Sequence, residues 1–324
     1  MGKSGKEQDR IFVAGHRGMV GSAIVRRLHS LGQKGLVIRD RSELDLTRQE
    51  EVEAFFKTEQ IDVVYLAAAR VGGIKANNEL PADFISENLQ IQTNVIQSAH
   101  QAGVRRLLFL GSSCIYPRLA EQPMREDALM QGPLEGTNEA YAVAKIAGIK
   151  MCEAYRRQFG SDFRSAMPTN LYGPNDNFDL ETSHVLPALL RKFDQAAKNG
   201  DDAVTVWGSG RPRREFLHVD DMAAASCHLM SLAEDRYWTA VSNRCSHVNV
   251  GCGSDVSIAE LAEMIAAITG FSGRVEYDTS MPDGTPRKLL DVSRMESLGW
   301  KPEIPLRQGI EETWRWMTKH QDNG

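Results

Sequence analysis

The first half of the chain alternates short apolar runs with longer stretches whose apolar residues recur at helical spacing. The short runs predict β-strands, and the longer stretches predict amphipathic helices. The predicted strands are Arg10–Ala14, Leu36–Ile38, Val63–Ala67, Arg106–Gly111 and Phe163–Thr169. The predicted helices lie near Val20–Leu31, Glu50–Thr58, Asp83–Ala102 and Asn138–Arg157. Strands that alternate with helices indicate a parallel sheet with right-handed crossover connections.

After Gly173 the pattern is less regular, and glycine and proline interrupt it repeatedly. The shorter elements predicted here are His184–Lys198, Phe216–Val219, Val248–Val250 and Ile258–Ile268. We therefore expect a disordered extension over residues 1–9 and a first domain over residues 10–173. Residues 174–324 are predicted to form mainly a second, smaller domain, with some segments that return to the first.

Composition and charge narrow the function classes. The chain has 324 residues, a formal net charge of −5 and 42% hydrophobic residues, which is typical of a globular protein. There is no clustered basic excess, so we expect no nucleic-acid partner. No apolar run reaches membrane-spanning length, and the polar start MGKSGKEQDR predicts no signal peptide. Five cysteines without a C-x-x-C pair predict neither disulfides nor a metal site, which favours the cytoplasm.

A glycine-rich loop follows the first predicted strand. It reads Gly15-His16-Arg17-Gly18-Met19-Val20-Gly21, and a helix comes next. Glycine permits a tight turn and lets the backbone approach a pyrophosphate at a helix N-terminus, where free N–H groups favour an anion. The position of the loop at the first strand–helix junction favours a dinucleotide site over the alternative, a glycine-rich turn without a ligand.

The end of the second strand bears on the choice of cofactor. An acidic residue there binds the ribose hydroxyl of NAD, whereas arginine suits the additional phosphate of NADP. Arg17 lies in the glycine loop and Arg41 follows the strand, so we predict NADP (NADPH). Asp40 is the contrary feature, because its carboxylate would repel that phosphate if it faced inward. The alternative for both arginines is solvated surface charge.

Tyr141 and Lys145 lie four residues apart on a predicted long helix, so both side chains share one face. A nearby ammonium favours the phenolate, and we therefore expect Lys145 to lower the pKa of Tyr141. Such a phenol exchanges a proton with a carbonyl oxygen while a nicotinamide moves hydride. Ser112 and Ser113 follow a strand at the edge where ligands of open α/β sheets bind. Alone, the Tyr–Lys spacing is equally typical of an exposed helix pair.

With these motifs in order, the chain resembles the extended short-chain dehydrogenase/reductases, and within them the GDP-L-fucose synthase family. The matching segments cover nearly the whole chain. They are Gly15–Gly21, Ala67-Ala-Ala-Arg-Val-Gly-Gly-Ile74, Gly111-Ser-Ser-Cys-Ile-Tyr-Pro117, Pro168-Thr-Asn-Leu-Tyr-Gly-Pro174, Arg214-Glu-Phe-Leu-His-Val-Asp-Asp221 and Pro282-Asp-Gly-Thr-Pro-Arg-Lys288. The predicted fold class is α/β: a Rossmann-type doubly wound parallel sheet with a smaller α/β C-terminal substrate-binding lobe.

The resemblance implies NADPH-dependent conversion of GDP-4-keto-6-deoxy-D-mannose to GDP-L-fucose, by inversion at C3 and C5 followed by reduction at C4. Inversion needs a base and a separate acid, and the resemblance places Cys114 as base and His184 as acid. Ser112, Tyr141 and Lys145 complete the predicted catalytic set. A random cysteine is most often a buried small hydrophobe, but Cys114 lies two residues past Ser112 at the active edge, which favours a functional role. Without the resemblance, His184 is interpreted as a surface residue at a helix start.

The resemblance also assigns binding residues along the chain. Besides the glycine loop, Arg41, Tyr141, Lys145 and His184, the cofactor is expected to contact Asp45, Leu110, Gly111, Pro168, Asn170 and Leu171. The substrate is expected to contact Ser112, Ser113, Lys192, Trp207, Arg214, Asp283 and Lys288. Lys192, Arg214 and Lys288 are the cations available for a diphosphate, and Trp207 offers an apolar wall. Taken singly, each charge is equally consistent with ordinary protein surface.

Three alternative functions are a 4,6-dehydratase, a simple 4-epimerase and a non-catalytic NADP-binding protein. A nucleotide-sugar 4,6-dehydratase carries an acidic residue after the strand-end serine pair, where this chain has Cys114. A simple 4-epimerase regenerates its cofactor, so net consumption of NADPH would exclude it. A non-catalytic NADP-binding sensor often lacks the Tyr–Lys pair, which is present here.

We also expect a homodimer, because the two longest predicted helices carry apolar residues on more than one face. These residues are Ile91, Val95 and Ile96 on one helix, and Ala144, Ala147, Gly148 and Met151 on the other. Two such helices from each subunit would form a four-helix contact about a two-fold axis. The alternative is that the additional apolar face packs on the chain's own sheet.

Overall fold

The structure is a computed structural model that describes residues 8–180, 182–281 and 283–321. Most of the predicted extension over residues 1–9 lies outside the described residues. The strands are β1 (Ile11–Ala14), β2 (Leu36–Val37), β3 (Val63–Leu66), β4 (Arg106–Leu110), β5 (Asp162–Pro168), β6 (Asn170–Tyr172), β7 (Ala203–Trp207), β8 (Arg213–Arg214), β9 (Phe216–His218), β10 (His247–Val250), β11 (Val256–Ser257), β12 (Arg274–Asp278) and β13 (Arg287–Lys288). The helices are α1 (Met19–Ser30), α2 (Gln49–Glu59), α3 (Ile74–Glu79), α4 (Pro81–Gln101), α5 (Glu139–Phe159), α6 (Val185–Asn199), α7 (Val219–Ser231), α8 (Glu234–Ala240), α9 (Ile258–Thr269), α10 (Ser293–Ser297) and α11 (Leu306–Gln321).

A parallel sheet of six strands forms the centre, in the order β2-β1-β3-β4-β5-β10. From β1 the chain moves to one edge to form β2 and then crosses to the other side of β1 to form β3. The strand order therefore reverses between β1 and β3, and a ligand crevice is expected at the carboxyl ends of these two strands. The predicted parallel, Rossmann-type sheet is confirmed.

Both faces of this sheet are covered by helices, which explains why its strands are apolar at successive positions. Neighbouring residues of one strand point to opposite sides: Val64 joins the core under α2, α4 and α5, and Tyr65 joins the core under α1 and α7. All four residues of β1 and of β3 are buried. A doubly covered sheet of this kind holds the strand ends rigidly for a site at its edge.

A second hydrophobic core lies in the C-terminal half. Helices α6, α9 and α11 contribute Phe193, Leu261 and Ile310, which pack together with residues of β7 and β9. The parallel pair β7–β12 borders this core. Helix α9 begins with a capping box in which Ser257 and Glu260 satisfy each other's backbone N–H groups. Helices α7 and α11 and the β7–β12 pair were not predicted from the sequence.

Two segments of the C-terminal half, β10 and α7, pack on the central sheet of the predicted first domain. Strand β10 pairs with β5 at the edge of the central sheet, and α7 packs against α1 on one face of it. A division of the chain at residue 173 stays a prediction, with these two segments as the part of residues 174–324 that would belong to the first domain.

Most of the residues that were predicted to form a dimer contact are instead packed inside this chain. Val95, Ile96 and Ala144 are fully buried, and a Cβ on Gly148 would lie 2.3 Å from the ring of Phe109. Their apolar character is therefore explained by packing on the chain's own sheet, and it gives no support to a dimer. Within the described residues, no helix is both long enough and apolar enough to cross a lipid bilayer.

Candidate active site

A cleft of about 790 Å³ opens at the carboxyl edge of the central sheet, where the strand order reverses. The residues predicted to bind the cofactor all line it: Gly15, His16, Arg17, Gly18, Met19, Val20, Gly21, Arg41, Asp45, Leu110, Gly111, Tyr141, Lys145, Pro168, Asn170, Leu171 and His184. Ser112 and Ser113 line the same cleft. The structure therefore brings together the loops after β1, β3, β4 and β5 with one face of α5.

The glycine loop packs too tightly for larger residues. A Cβ on Gly21 would lie 2.1 Å from the carbonyl oxygen of Gly15, which belongs to the backbone and cannot rotate away. Gly18 is the N-cap of α1, no side chain caps that helix, and its first turn carries no acidic residue. Free backbone N–H groups and the positive end of the helix dipole are thus available to an anion. This cradle fits the pyrophosphate of a dinucleotide.

At the ribose end of the cleft, the contacts of Asp40 show whether its carboxylate would repel the additional phosphate of NADP. Its carboxylate is 2.9 Å from the guanidinium of Arg17 and accepts hydrogen bonds from the backbone and hydroxyl of Ser42, which lower its pKa. The carboxylate is therefore neutralised and held by its own turn. Arg41 lies 3.7 Å from Asp45, and the side chains of Arg17 and Arg41 are 76% and 72% exposed. Both guanidiniums are paired but exposed, so a phosphate at the rim can contact them.

Sequence reasoning missed part of this lining. Additional lining residues are Arg39, Leu44, Leu46, Thr47, Ala67, Ala68, Ala69, Arg70, Val71, Glu87, Ile91 and Thr169. The segment that begins at Ala67 was noted as a motif but given no role. Its place directly after β3, at the point where the strand order reverses, is the signal that identifies it.

Lys145 is buried and its Nζ donates a hydrogen bond to the carbonyl of Leu110 (2.8 Å). Burial lowers the pKa of Lys145 to about 8. The expectation that this lysine lowers the pKa of Tyr141 was wrong: desolvation raises the pKa of Tyr141, and the nearby Cys114 raises it further. The ammonium lies 5.6 Å from the centre of the Tyr141 ring. The phenol is therefore protonated at neutral pH.

Ser112 connects the tyrosine with Cys114. Ser112 lies two residues after β4 and is the N-cap of a short 3₁₀ turn. Its hydroxyl accepts a hydrogen bond from the backbone N–H of Cys114 (3.4 Å). Burial raises the pKa of the Cys114 thiol, while hydrogen bonding to Ser112 and the charges of Lys288 and Lys145 oppose that rise. A hydrogen bond to Ser112 likewise lowers the pKa of Tyr141 against its desolvation. One hydroxyl thus lies between the phenol and the thiol.

His184 is the N-cap of α6 and reaches the cleft from the second core. Its surface is exposed at the cleft, and desolvation by the surrounding groups lowers its pKa. An approaching anion would raise that pKa and favour the imidazolium.

Two cations face each other on neighbouring short strands beside the cleft. In the parallel pair β8–β13, Arg213 is opposite Arg287 and Arg214 is opposite Lys288. Arg213 and Arg287 both donate to the carboxylate of Asp255. Lys288 has no such ion pair within the described residues: desolvation lowers its pKa and the charge of Arg214 adds to that lowering, while Cys114 and Glu135 oppose it. Two like charges placed opposite each other are unfavourable until an anion binds between them.

The remaining predicted substrate residues lie outside the lining of the cleft. Lys192 on α6 places its Nζ 5.1 Å from the centre of the Trp207 ring, and that ring is 62% exposed. The carboxylate of Asp283 accepts hydrogen bonds from the backbone N–H (2.8 Å) and the hydroxyl (2.6 Å) of Ser209. Asp283 therefore fixes the turn after Trp207, and its charge also acts on Arg214. Of these three residues, Asp283 acts directly on the cationic pair of Arg214 and Lys288, through Arg214.

Across residues 8–180, 182–281 and 283–321, no group of three or more His, Cys, Asp or Glu side chains is arranged to hold a metal ion.

Comparison with known proteins gives consistent matches over the full chain. The NAD dependent epimerase/dehydratase family matches residues 11–251. A GDP-L-fucose synthase of Escherichia coli (strain K12) is 59% identical over 315 residues, which cover 97% of this chain and 98% of the relative. A putative GDP-L-fucose synthase 2 of Arabidopsis thaliana is 61% identical, with 96% and 92% covered. The solved structure of a Campylobacter jejuni GDP-D-glycero-L-gluco-heptose synthase in the presence of NADPH is 38% identical, with 97% and 99% covered and a TM-score of 0.90.

Proposed function

This chain belongs to the NAD dependent epimerase/dehydratase family, and we propose that it converts GDP-4-keto-6-deoxy-D-mannose to GDP-L-fucose with NADPH. The observation that carries this function is the place of Cys114. Cys114 is buried in the turn after β4, two residues beyond Ser112, which lines the cofactor cleft, and the charges of both Lys145 and Lys288 act on its thiol. A thiol between a nicotinamide site and a diphosphate site, with two lysine charges that favour its thiolate, fits an epimerase that is also a reductase.

NADPH, when bound, supplies the hydride for the ketone. The glycine loop and the uncapped start of α1 hold its pyrophosphate, and Arg17 and Arg41 hold its ribose phosphate. Asn170 and Leu171 line the inner part of the cleft beside Tyr141, where the nicotinamide has to lie for reduction.

Reduction needs one proton at the C4 oxygen, and Tyr141 delivers it. The phenol is protonated at neutral pH and therefore holds the proton, and its hydrogen bond to Ser112, which lowers its pKa against desolvation, helps the proton to leave. Ser112 donates a hydrogen bond to the same oxygen, and Lys145 stabilises the phenolate that forms.

Epimerisation needs proton removal from one face of the sugar and return from the other, at C3 and at C5. Cys114 removes the proton as thiolate, and the charges of Lys288 and Lys145 favour that form against burial. His184 returns the proton, since the negative diphosphate raises its pKa toward the protonated form. The diphosphate itself binds between Arg214 and Lys288, with Lys192 and Trp207 at the outer end.

The deciding experiment follows deuterium and NADPH together. The protein is mixed with GDP-4-keto-6-deoxy-D-mannose in heavy water, first without NADPH and then with it. We expect labelling at C3 and C5 before NADPH is added, and afterwards NADPH consumption with formation of GDP-L-fucose. Cys114→Ser, which keeps the volume but removes a group that ionises near neutrality, should label neither carbon. Undiminished labelling in this variant would transfer the role of base to His184 or Tyr141.

We propose in addition a homodimer and a cytoplasmic location. Val143 and Phe159 on α5 are 40% and 53% exposed, and each is an apolar side chain that a second copy of the chain could cover. The five cysteines are all free, as is usual in a reducing compartment. Light scattering at micromolar concentration tests the first proposal, and a monomeric mass contradicts it.

A further inference from the structure

Glu215 is a fully buried carboxylate in the middle of the candidate site, although no role has been given to it. It lies between β8 and β9 with 0% of its surface exposed. Burial of an ionised carboxylate is costly unless several hydrogen-bond donors surround it. Desolvation raises its pKa, and hydrogen bonds from the backbone N–H groups of Leu290, Gly253 and Cys252 oppose that rise.

The carboxylate joins two distant parts of the chain. Its Oε1 accepts hydrogen bonds from the N–H groups of Cys252 (2.7 Å) and Gly253 (2.8 Å), directly after strand β10 of the central sheet. Its Oε2 accepts one from the N–H of Leu290 (3.0 Å), two residues after Lys288. One side chain thus attaches the end of the cationic strand β13 to the edge of the central sheet.

The backbone of the same residue continues this connection. Its N–H donates to the carbonyl of Lys288 (3.2 Å), so β13 is held on both sides of the cation. Its carbonyl accepts hydrogen bonds from the amide of Asn170 (2.8 Å) and the hydroxyl of Thr169 (3.3 Å). Thr169 and Asn170 line the cofactor cleft. Glu215 is therefore in direct contact with both halves of the site.

The chain leaves room for this carboxylate at Gly251, the first residue after β10. A Cβ at that position would lie 2.3 Å from Oε1 of Glu215. Any larger residue would displace either the carboxylate or the loop after β10. The close approach of backbone and carboxylate shows that the position of Glu215 is fixed from both sides.

We propose that Glu215 is a positioning residue that holds the diphosphate-binding cations Arg214 and Lys288 in register with the reaction cleft. The proposal rests on the proposed function, since it requires a nucleoside diphosphate between those two cations. Glu215 does not touch the substrate; it acts through the strand that carries Lys288 and through its own neighbour Arg214. Its loss should therefore impair binding of the nucleotide part more than binding of the cofactor.

The variant Glu215→Gln tests this inference, because it keeps the size of the side chain and replaces one accepting oxygen by a donating amide. Since the surrounding groups are N–H donors, at least one loses its acceptor, which weakens the attachment of β13 to the sheet edge. By calorimetry with GDP and with NADPH, we expect the Kd for GDP to rise about tenfold or more and the Kd for NADPH to change less than about twofold. In steady-state assays the KM for the nucleotide sugar should rise in parallel.

Asp221→Asn is the matched control. Asp221 is also a buried carboxylate, 3% exposed, and it accepts hydrogen bonds from the backbone N–H groups of Glu303 (3.1 Å) and Ile304 (2.9 Å). It holds the segment before α11 instead of a cationic strand. A comparable drop in melting temperature is expected in both variants, but GDP affinity should fall only in Glu215→Gln. Equal weakening of GDP binding in both variants, or in neither, overturns the proposal.

The outcomes separate this proposal from the function on which it rests. If the parent protein does not bind GDP, the proposed function fails. If the parent binds GDP and Glu215→Gln binds it equally well, only the positioning role fails. Should Glu215→Gln not fold, Gly251→Ala displaces the carboxylate without removing its charge. That variant should show the same selective loss of GDP affinity, and unchanged GDP affinity in it counts against the proposal.

Discussion

The two halves of the site are built in different ways. The cofactor cleft rests on a continuous loop, Gly15–Gly21, between one strand and the helix that follows it, and it offers backbone N–H groups to an anion. The cationic pair is assembled from β8 and β13, two-residue strands far apart in the chain, and it offers side-chain charges. One half recognises phosphate by shape and backbone dipoles, and the other recognises it by formal charge.

This difference decides how each half can fail. A cradle made of closely packed backbone is damaged by additional atoms, and its charge is of secondary importance. A pair of opposed cations is damaged by loss of charge, and it tolerates changes of shape better. The following substitutions test whether the two halves are as different as their construction indicates.

Gly21→Ala should have the largest effect. The additional methyl group would lie 2.1 Å from the carbonyl oxygen of Gly15, so the loop must move away from its position. A displacement of about 1 Å at a binding site is enough for a loss of about a hundredfold, and we expect the Kd for NADPH to rise at least that much. Fluorescence titration with NADPH measures it.

The control for this variant is GDP binding, which should change less than about threefold because β8 and β13 are untouched. Ordinary NADPH affinity in Gly21→Ala would mean that the loop does not cradle the pyrophosphate. Parallel loss of GDP and NADPH binding would mean that the two halves are not independent.

Lys288→Met should have the next largest effect on binding. It should weaken binding of the nucleotide sugar without lowering the stability of the protein. Removing the charge takes one partner from the diphosphate and from the Cys114 thiolate, so the KM for the nucleotide sugar should rise by about thirtyfold to a hundredfold. The protein without ligand should melt at the same or a higher temperature, because the repulsion from Arg214 disappears.

Arg287→Met is the matched control for that variant. Arg287 is the neighbouring residue on the same strand, but it pairs with Asp255 and not with Arg214. Its replacement should lower the melting temperature and change the KM for the nucleotide sugar by less than about threefold. Equal KM values for the Lys288→Met and parent proteins would show that the diphosphate binds elsewhere.

The same difference explains what the sequence could predict. The glycine loop, the strands around it and the Tyr141–Lys145 pair are local in the chain, and periodicity and spacing reveal them. The strands β8 and β13 are too short to show alternation, so the facing of Arg214 and Lys288 and the contacts of Glu215 follow only from long-range pairing. A resemblance could name the cations but not their arrangement.

One expectation was wrong, and the argument for another lost its support, for the same physical reason. The spacing of Tyr141 and Lys145 suggests a lowered tyrosine pKa, but it does not show that the lysine donates to Leu110 or that the phenol is desolvated. The apolar faces of α4 and α5 suggest a dimer contact, but they do not show that Val95 and Ala144 already pack inside the chain. In both cases the deciding quantity is the burial of side chains, which depends on the whole fold and cannot be derived from spacing along one helix. The homodimer itself stays a proposal.

Arg17→Ala should have the smallest effect, and it tests the one place where the cofactor half uses side-chain charge. Arg17 is 76% exposed, so its contact with the ribose phosphate is expected at the lower limit for a charged hydrogen bond, about 1.5 kcal/mol, or about tenfold in the KM for NADPH. The substitution also releases Asp40, whose carboxylate is 2.9 Å from Arg17, to accept a hydrogen bond from an unphosphorylated ribose. The KM for NADH should therefore stay constant or fall. Arg48→Ala, which removes an arginine outside the cleft that pairs with Glu51, should leave both constants unchanged. If Arg17→Ala raises both KM values by the same factor, Arg17 supports the loop and does not read the phosphate.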